Sequence, residues 1–187
     1  MLVKNIIKKS AEFLNLNNVK KYLDNELEIT DEIESDINTF LLSVNMVNNT
    51  IASSYIELIS DVEIDVSDGL IPYSEISDKS IIEIKSVTTT GGEKIDYKLY
   101  PEGVKIDEFS KVKIEYTYFP SEVTIDDEID YFLKVNEITF AMGVVGEYLY
   151  IKGAIDDASV WDKRFKQSLF NVIRPKRNIV LPAKRWE

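Results

Sequence analysis

The stretch from Thr30 to Gly69, TDEIESDINTFLLSVNMVNNTIASSYIELISDVEIDVSDG, contains two structural periods, and the change between them decides the fold. From Ile33 onward the apolar residues Ile37, Phe40, Leu41, Val44, Val47, Ile51, Tyr55 and Leu58 recur mostly at alternating spacings of four and three. That spacing predicts one long amphipathic helix with a continuous apolar face. Thr30 is placed to cap it, and Asp31, Glu32 and Glu34 fall in the first turn, where the helix dipole favours acids. At Val62 the period becomes two: Val62, Ile64 and Val66 alternate with acids until Asp68-Gly69 marks a turn.

Outward toward the N-terminus, apolar residues at 2, 3, 6, 7, 13 and 14 predict a first helix from Leu2 to about Leu14. Asn15-Leu16-Asn17-Asn18 breaks it, and a loop or short helical turn leads to Ile29. In the other direction strands are expected at Leu70–Tyr73, Ile81–Thr88, Lys94–Tyr100, Val104–Ile106 and Lys111–Phe119, with turns at Gly91-Gly92 and Pro101-Glu102-Gly103. Together they predict a small antiparallel sheet of four to six strands. Asp126-Asp127-Glu128 has the form of an acidic helix start. The helix it opens is expected to run through Phe132, Val135, Ile138, Phe140, Val144 and Tyr148 to Ile151, with Gly143 and Gly146 allowing close packing and Gly153 ending it. A last helix starts at Asp156 or Asp157 and carries Trp161, Phe165, Leu169 and Val172 on one face.

The predicted fold class is therefore α+β: a bundle of long antiparallel helices (1–61 and 120–173), an inserted small antiparallel β-sheet (62–119) and an extended C-terminal arm (174–187). The length of 187 residues suits one domain with an insertion, and 44% apolar residues with a mean hydropathy of -0.14 suit a globular chain. No apolar run approaches the roughly 18 to 20 residues of a membrane span, and the N-terminus has no h-region of a signal peptide. No membrane partner is expected. Cysteine and histidine are both absent. Disulfides, thiolate chemistry and Ser-His or Cys-His catalysis are excluded, so an enzyme would rely on carboxylates, Lys, Tyr or a carboxylate-bound metal.

Charge is sorted along the chain. Residues 1–23 hold five Lys and one Glu, and residues 163–187 hold eight Lys or Arg and one Glu. Residues 24–162 hold nine cations against 31 acids, net -22, within a total of -11. A body that acidic repels nucleic-acid phosphates. Basic ends on an acidic body instead favour contacts between copies or with another acidic protein.

The arm carries Arg174, Lys176, Arg177, Lys184 and Arg185, an apolar run of Ile179, Val180 and Leu181, two prolines (Pro175 and Pro182) and a penultimate Trp186. The prolines forbid a continuous helix, and extended chain of this length reaches roughly 45 Å. Trp and Arg are the residue types that dominate interface energetics. The arm is therefore a candidate docking element for another protein, set against the alternative of a frayed terminus. Lys163, Arg164 and Lys166 form either a solvated face or a contact with a neighbouring subunit. Asp126, Asp127, Glu128 and Asp130 form either a divalent-metal or acid/base site or a helix entry matched to its dipole. Adjacent helical residues point in different directions, which favours the second. The acids from Glu26 to Asp36 have the form of a solvated helix entry. Gly91-Gly92 lacks the pattern of a phosphate loop. Tyr116, Tyr118 and Phe119 suit a sheet core or subunit contact better than base stacking, because the surrounding acids outnumber the cations.

Taken together the segments LIPYSEISDKSIIEIKSV, KIDYKLYPEGVKI, KVKIEYTYFPSEV, EITFAMGVVGEYLYIKGAIDDASVWDKRF and LPAKRWE resemble the head–tail connector, or adaptor, proteins of tailed bacteriophages. The helix GEYLYIKGAIDDASVWDKRFKQSL is especially similar to that family's pattern, in which an A-x-x-W-x-x-R helix precedes an extended basic tail. The resemblance covers most of the chain and is one of layout. It implies a structural virion protein, made in the host cytoplasm, that forms a homo-oligomeric ring (a dodecamer) at the capsid–tail interface. Its partners would be the portal protein, docked by the arm, and a downstream tail protein, with genomic DNA passing through the channel without sequence-specific contact. It implies neither catalysis nor a cofactor. Another tail-completion or tail ring protein, or a metal-dependent enzyme built on Asp126 and Glu128, are the alternatives.

Overall fold

A computed structural model describes residues 1–66, 69–107, 111–129, 131 and 135–173. The arm from Arg174 to Trp186 lies outside the described residues, as does Asp130. The fold is α+β, with six helices and two three-stranded antiparallel sheets among the described residues.

The helical part begins with α1 (Val3–Phe13) and α2 (Asn17–Leu23). Asn15 and Asn25 end them in the left-handed region at φ 58° and 61°, which asparagine tolerates better than most residues. Helix α3 (Asp31–Ser54) is the long periodic element, and the Thr30 hydroxyl accepts from the Ile33 amide at 3.4 Å. Its predicted apolar face is the buried one: Ile33, Ile37, Phe40, Val44, Val47 and Ile51 enter a core shared with α1, α2 and the later helices. The helix stops at Ser54, so Leu58 packs on that core from the connector that follows.

The strands are β1 (Ile59–Asp65), β2 (Leu70–Pro72), β3 (Ile81–Thr89), β4 (Tyr97–Tyr100), β5 (Gly103–Ile106) and β6 (Lys111–Tyr118), with a one-turn helix, α4 (Tyr73–Ile76), after β2. They divide into two sheets, ordered β1-β6-β3 and β2-β5-β4, where one sheet was expected. The division occurs after the turn at Gly92, which lies at φ 88°. The returning chain bonds β3 only briefly, through a Thr88–Lys94 bridge and the Ile95 amide to Val87, before leaving to pair with β5. The physical reason is burial. Ile84, Val87, Val112 and Ile114 from one sheet and Ile71, Val104 and Ile106 from the other share one apolar core. A single flat sheet would leave that apolar face in water.

The second correction concerns Asp126-Asp127-Glu128, which does not start a helix. The Asp127 carboxylate accepts from the Thr124 amide (2.6 Å) and hydroxyl (2.8 Å), closing a turn and holding its own pKa below the usual carboxylate range. The following backbone runs extended beside the N-terminus: Val3 donates to Asp127, and Ile129 donates to Met1. Helix α5 (Glu137–Ile151) starts later, where the Asn136 side chain accepts from the Thr139 amide at 2.8 Å. Ile129, Tyr131 and Val135 are buried in the helical core outside any helix. Gly153, at φ 82°, closes the turn into α6 (Ile155–Ile173), as expected.

Candidate interaction surfaces

Helix α5 is apolar nearly all round, with Phe140, Ala141, Val144 and Val145 fully buried, which is the pattern of a central helix. On one side it receives α6. A Cβ at Gly143 would lie 3.0 Å from the Phe165 ring, and one at Gly146 would lie 3.4 Å from the Asp162 amide nitrogen. The Thr139 and Ser168 hydroxyls meet at 2.7 Å at the open end of this hairpin, and Tyr150 meets Ser159 near its turn, so the two helices are antiparallel.

On the other side α5 receives α3. Tyr148 stacks on Phe40 with ring centroids 4.3 Å apart, and its hydroxyl donates to Asp36 at 2.7 Å. Lys152 pairs with the same carboxylate at 2.9 Å. Burial, then the Asp36 contact, raises the Tyr148 pKa, so the phenol remains a donor. Before α5 begins, the buried Tyr131 hydroxyl bonds both the Asn48 backbone carbonyl and its side-chain oxygen, so the segment leading into α5 also runs antiparallel to α3. Gly146 and Tyr148 are about 200° apart around a helix at 100° per residue. Helices α3 and α6 therefore flank α5 on opposite sides, both antiparallel to it and parallel to each other.

The three basic residues singled out on α6 have different surroundings. Arg164 lies over the Trp161 ring at 5.0 Å, and Trp161 in turn stacks on Phe13 of α1 at 5.2 Å. Lys166 pairs with Asp162 one turn earlier at 2.8 Å. Lys163 is exposed and forms no ion pair among the described residues. It borders a shallow surface depression with Asp162, Lys166, Gln167, Phe170 and Asn171. Thus the A-x-x-W-x-x-R residues are structural within the subunit: Ala158 is fully buried beside Gly146, and Trp161 lies between Phe13 and Arg164.

Glu147 lies half-buried on the same side of α5. Burial and then Asp162 raise its pKa from 4.5, against an opposing pull from Lys166. Because the raised pKa belongs to the folded state, ionising Glu147 costs stability as pH rises above about 4.5. Glu147→Gln should therefore be more stable than the parent at neutral pH, with the difference vanishing at more acidic pH. Urea melts of both proteins at pH 4 and pH 7 measure this.

The carboxylate cluster is dispersed. Asp127 is committed to its turn and Glu128 is exposed on the bridge to Leu2. Among the described residues no group of three or more Asp or Glu could hold a metal ion. Tyr116 is buried in the sheet core and Tyr118 carries Lys79 over its ring at 4.2 Å. Within Glu26 to Asp36, Asp36 departs from the solvated-entry expectation, since it is the anchor between α3 and α5. No helix among the described residues is long and apolar enough to cross a membrane.

From Ile37 to Tyr55 the chain holds no charged residue, although 29% of the protein is charged. Leu42 and Met46 stand on the face of α3 turned away from α5, 53% and 40% exposed, with Asn49 and Ser53 continuing the row. The signal was present in the sequence as an absence of charge on a helix already known to be amphipathic.

No known protein-family profile matches this chain, and neither does any curated protein sequence.

Proposed function

We propose that this chain is a structural subunit of a tailed-phage virion: a head–tail adaptor that assembles as a ring, a dodecamer by family resemblance, between portal and tail. The observation that carries the reading is the α5–α6 hairpin. Its buried Ala158 and the stack of Trp161 on Phe13 of α1 fix the direction of α6, and the sequence that follows at once is the basic segment from Arg174 to Trp186. Attached to a body of strong negative charge, such a segment suits a protein socket. Trp186, Arg174, Lys176, Arg177, Lys184 and Arg185 are the proposed anchors, with Ile179, Val180, Leu181 and Pro182 filling an apolar groove of the portal. The role asks for no catalysis and no cofactor. DNA would pass along the ring axis, repelled by the acidic body, and a tail protein would occupy the opposite side of the ring.

The test is binding to purified portal and, separately, to tail proteins. Deleting residues 174–187 should abolish portal binding while leaving the melting temperature unchanged. Trp186→Ala should weaken it about 30-fold, the equivalent of roughly 2 kcal/mol for one buried aromatic anchor. Undiminished portal binding by the truncated protein would contradict the proposal. Capture by a tail component alone would assign the chain to a tail ring instead.

A further inference from the structure

The helical layer and the two sheets are built on separate apolar cores, and no residue belongs to both. Two stretches of chain join them: residues 55–58 lead from α3 into β1, and residues 119–123 lead from β6 back to the helical layer.

Each stretch is anchored at its helical end. The Tyr55 and Ile56 amides both donate to the Ile51 carbonyl at the close of α3, and Leu58 packs on the helical core. On the other stretch the Asn45 side chain grips the Val123 backbone, accepting from its amide at 2.8 Å and donating to its carbonyl at 3.2 Å. The sheet ends are anchored too. Ile59 pairs with Thr117, and the Phe119 amide donates to the Ser80 carbonyl at 2.9 Å. What remains between the anchors is the Leu58–Ile59 junction on one stretch and Pro120, Ser121 and Glu122 on the other. The Tyr118 amide donates to the Leu58 carbonyl at 3.2 Å, so the two stretches pass side by side.

Proline fixes its own φ and holds the residue before it in extended backbone. Torsional freedom in the second stretch is therefore concentrated in Ser121 and Glu122. Both are exposed and, among the described residues, neither has a backbone hydrogen bond. One brace crosses from the sheets to the first stretch, the pairing of Lys85 on β3 with Glu57 at 2.7 Å. Glu57 is exposed and Glu83 competes for the same ammonium at 2.7 Å, so the brace is weak. Open space adjoins the junction as well. A cleft of about 410 Å³ is lined by Asn49 from α3, by Lys79 and Ser80 from the segment before β3, and by Pro120 and Ser121. A second hollow of about 350 Å³ shares Lys79, Pro120 and Ser121 with it and reaches Tyr131 of the helical core.

We propose that the two sheets turn as one body against the helical layer, on a hinge formed by the Leu58–Ile59 junction and residues 120–122. Units within one chain that share no apolar core move relative to each other by default, and a few residues at element ends suffice to absorb the rotation. The sheets move together because Ile71, Val104 and Ile106 of one are buried with Ile84, Val87 and Ile114 of the other. Turning the sheets toward α3 closes the cleft between Asn49 and Lys79. The hinge belongs to the single chain and does not rest on the adaptor reading.

The chain has no cysteine, so spin labels can be placed in chosen pairs on the full-length protein. The variant L42C/K105C spans the hinge, from α3 to β5. L42C/D157C lies within the helical layer and K105C/E115C within the sheets, and all four positions are exposed. Double electron–electron resonance, with labelled protein diluted in unlabelled parent, reads the distance distribution of each pair. The distribution across the hinge should be about twice as wide as either distribution within a unit. Adding P120G should widen it further and leave the two within-unit distributions unchanged, which also verifies that both units remain folded. A cross-hinge distribution as narrow as those within the units would overturn the proposal. So would a P120G protein, folded by the within-unit pairs, whose cross-hinge distribution matches that of its parent.

Discussion

Phe40→Ala should destabilise the protein by about 4 kcal/mol, one of the two largest single-residue effects expected for this fold. Phe40 has no exposed surface and stacks on Tyr148, whose hydroxyl holds Asp36. Truncation removes the transfer free energy of the ring and leaves a cavity between α3 and α5. It also frees Tyr148 to move, and with it the hydrogen bond that fixes the two helices in register. Relaxation cannot close such a cavity readily, because α5 is held from its other side by Phe165 against Gly143. Chemical denaturation of parent and variant measures the difference. A loss of less than about 1 kcal/mol would mean that α3 and α5 do not pack as described.

Gly103→Ala is the second, with an expected cost of about 3 kcal/mol concentrated in the β2-β5-β4 sheet. A Cβ at this position would lie 2.2 Å from the Ile71 carbonyl oxygen and 2.8 Å from its carbon. Both are backbone atoms of the paired strand, so no side-chain rotation relieves the overlap. Since β2 has only three residues, the cheapest response is for it to leave the sheet, which exposes Ile71 and Ile76. Hydrogen exchange should show faster exchange of the Ile106 amide, whose acceptor is Gly69, with α5 unaffected. Unchanged exchange across the β-sheets would contradict the β2–β5 pairing.

The parts of the fold that were legible in the sequence are those governed by local periodicity and local chemistry. The phase of α3, its Thr30 cap, the alternation of Lys111–Tyr118 and the Gly153 turn each depend on neighbours within a few residues. The two glycines of α5 were legible for the same reason, as positions where a partner helix approaches closely.

What was not legible depends on distant partners. Asp126-Asp127-Glu128 has the composition of a helix start, but Thr124 and the backbone of Val3 compete for that segment and win. The strand after Gly92 leaves β3 because its apolar residues are better buried against a second sheet. Asp36 looks like one more solvated acid until Lys152 and Tyr148 arrive from residues far along the chain. Among the candidate contact residues, Lys166 pairs with Asp162 and Arg164 lies over Trp161, while Lys163 is exposed and forms no ion pair among the described residues. The outward row on α3 went unrecognised because its signal is an absence.

The central proposal is that this protein assembles as a ring that seats on a portal, and electron microscopy of the purified protein, alone and mixed with portal, tests it most directly. The account predicts closed rings of a single size, alone or nucleated by portal, centred on the portal axis in the mixture and lost from it when residues 174–187 are removed. Monomers in both samples, with portal particles unchanged by the addition, would contradict it.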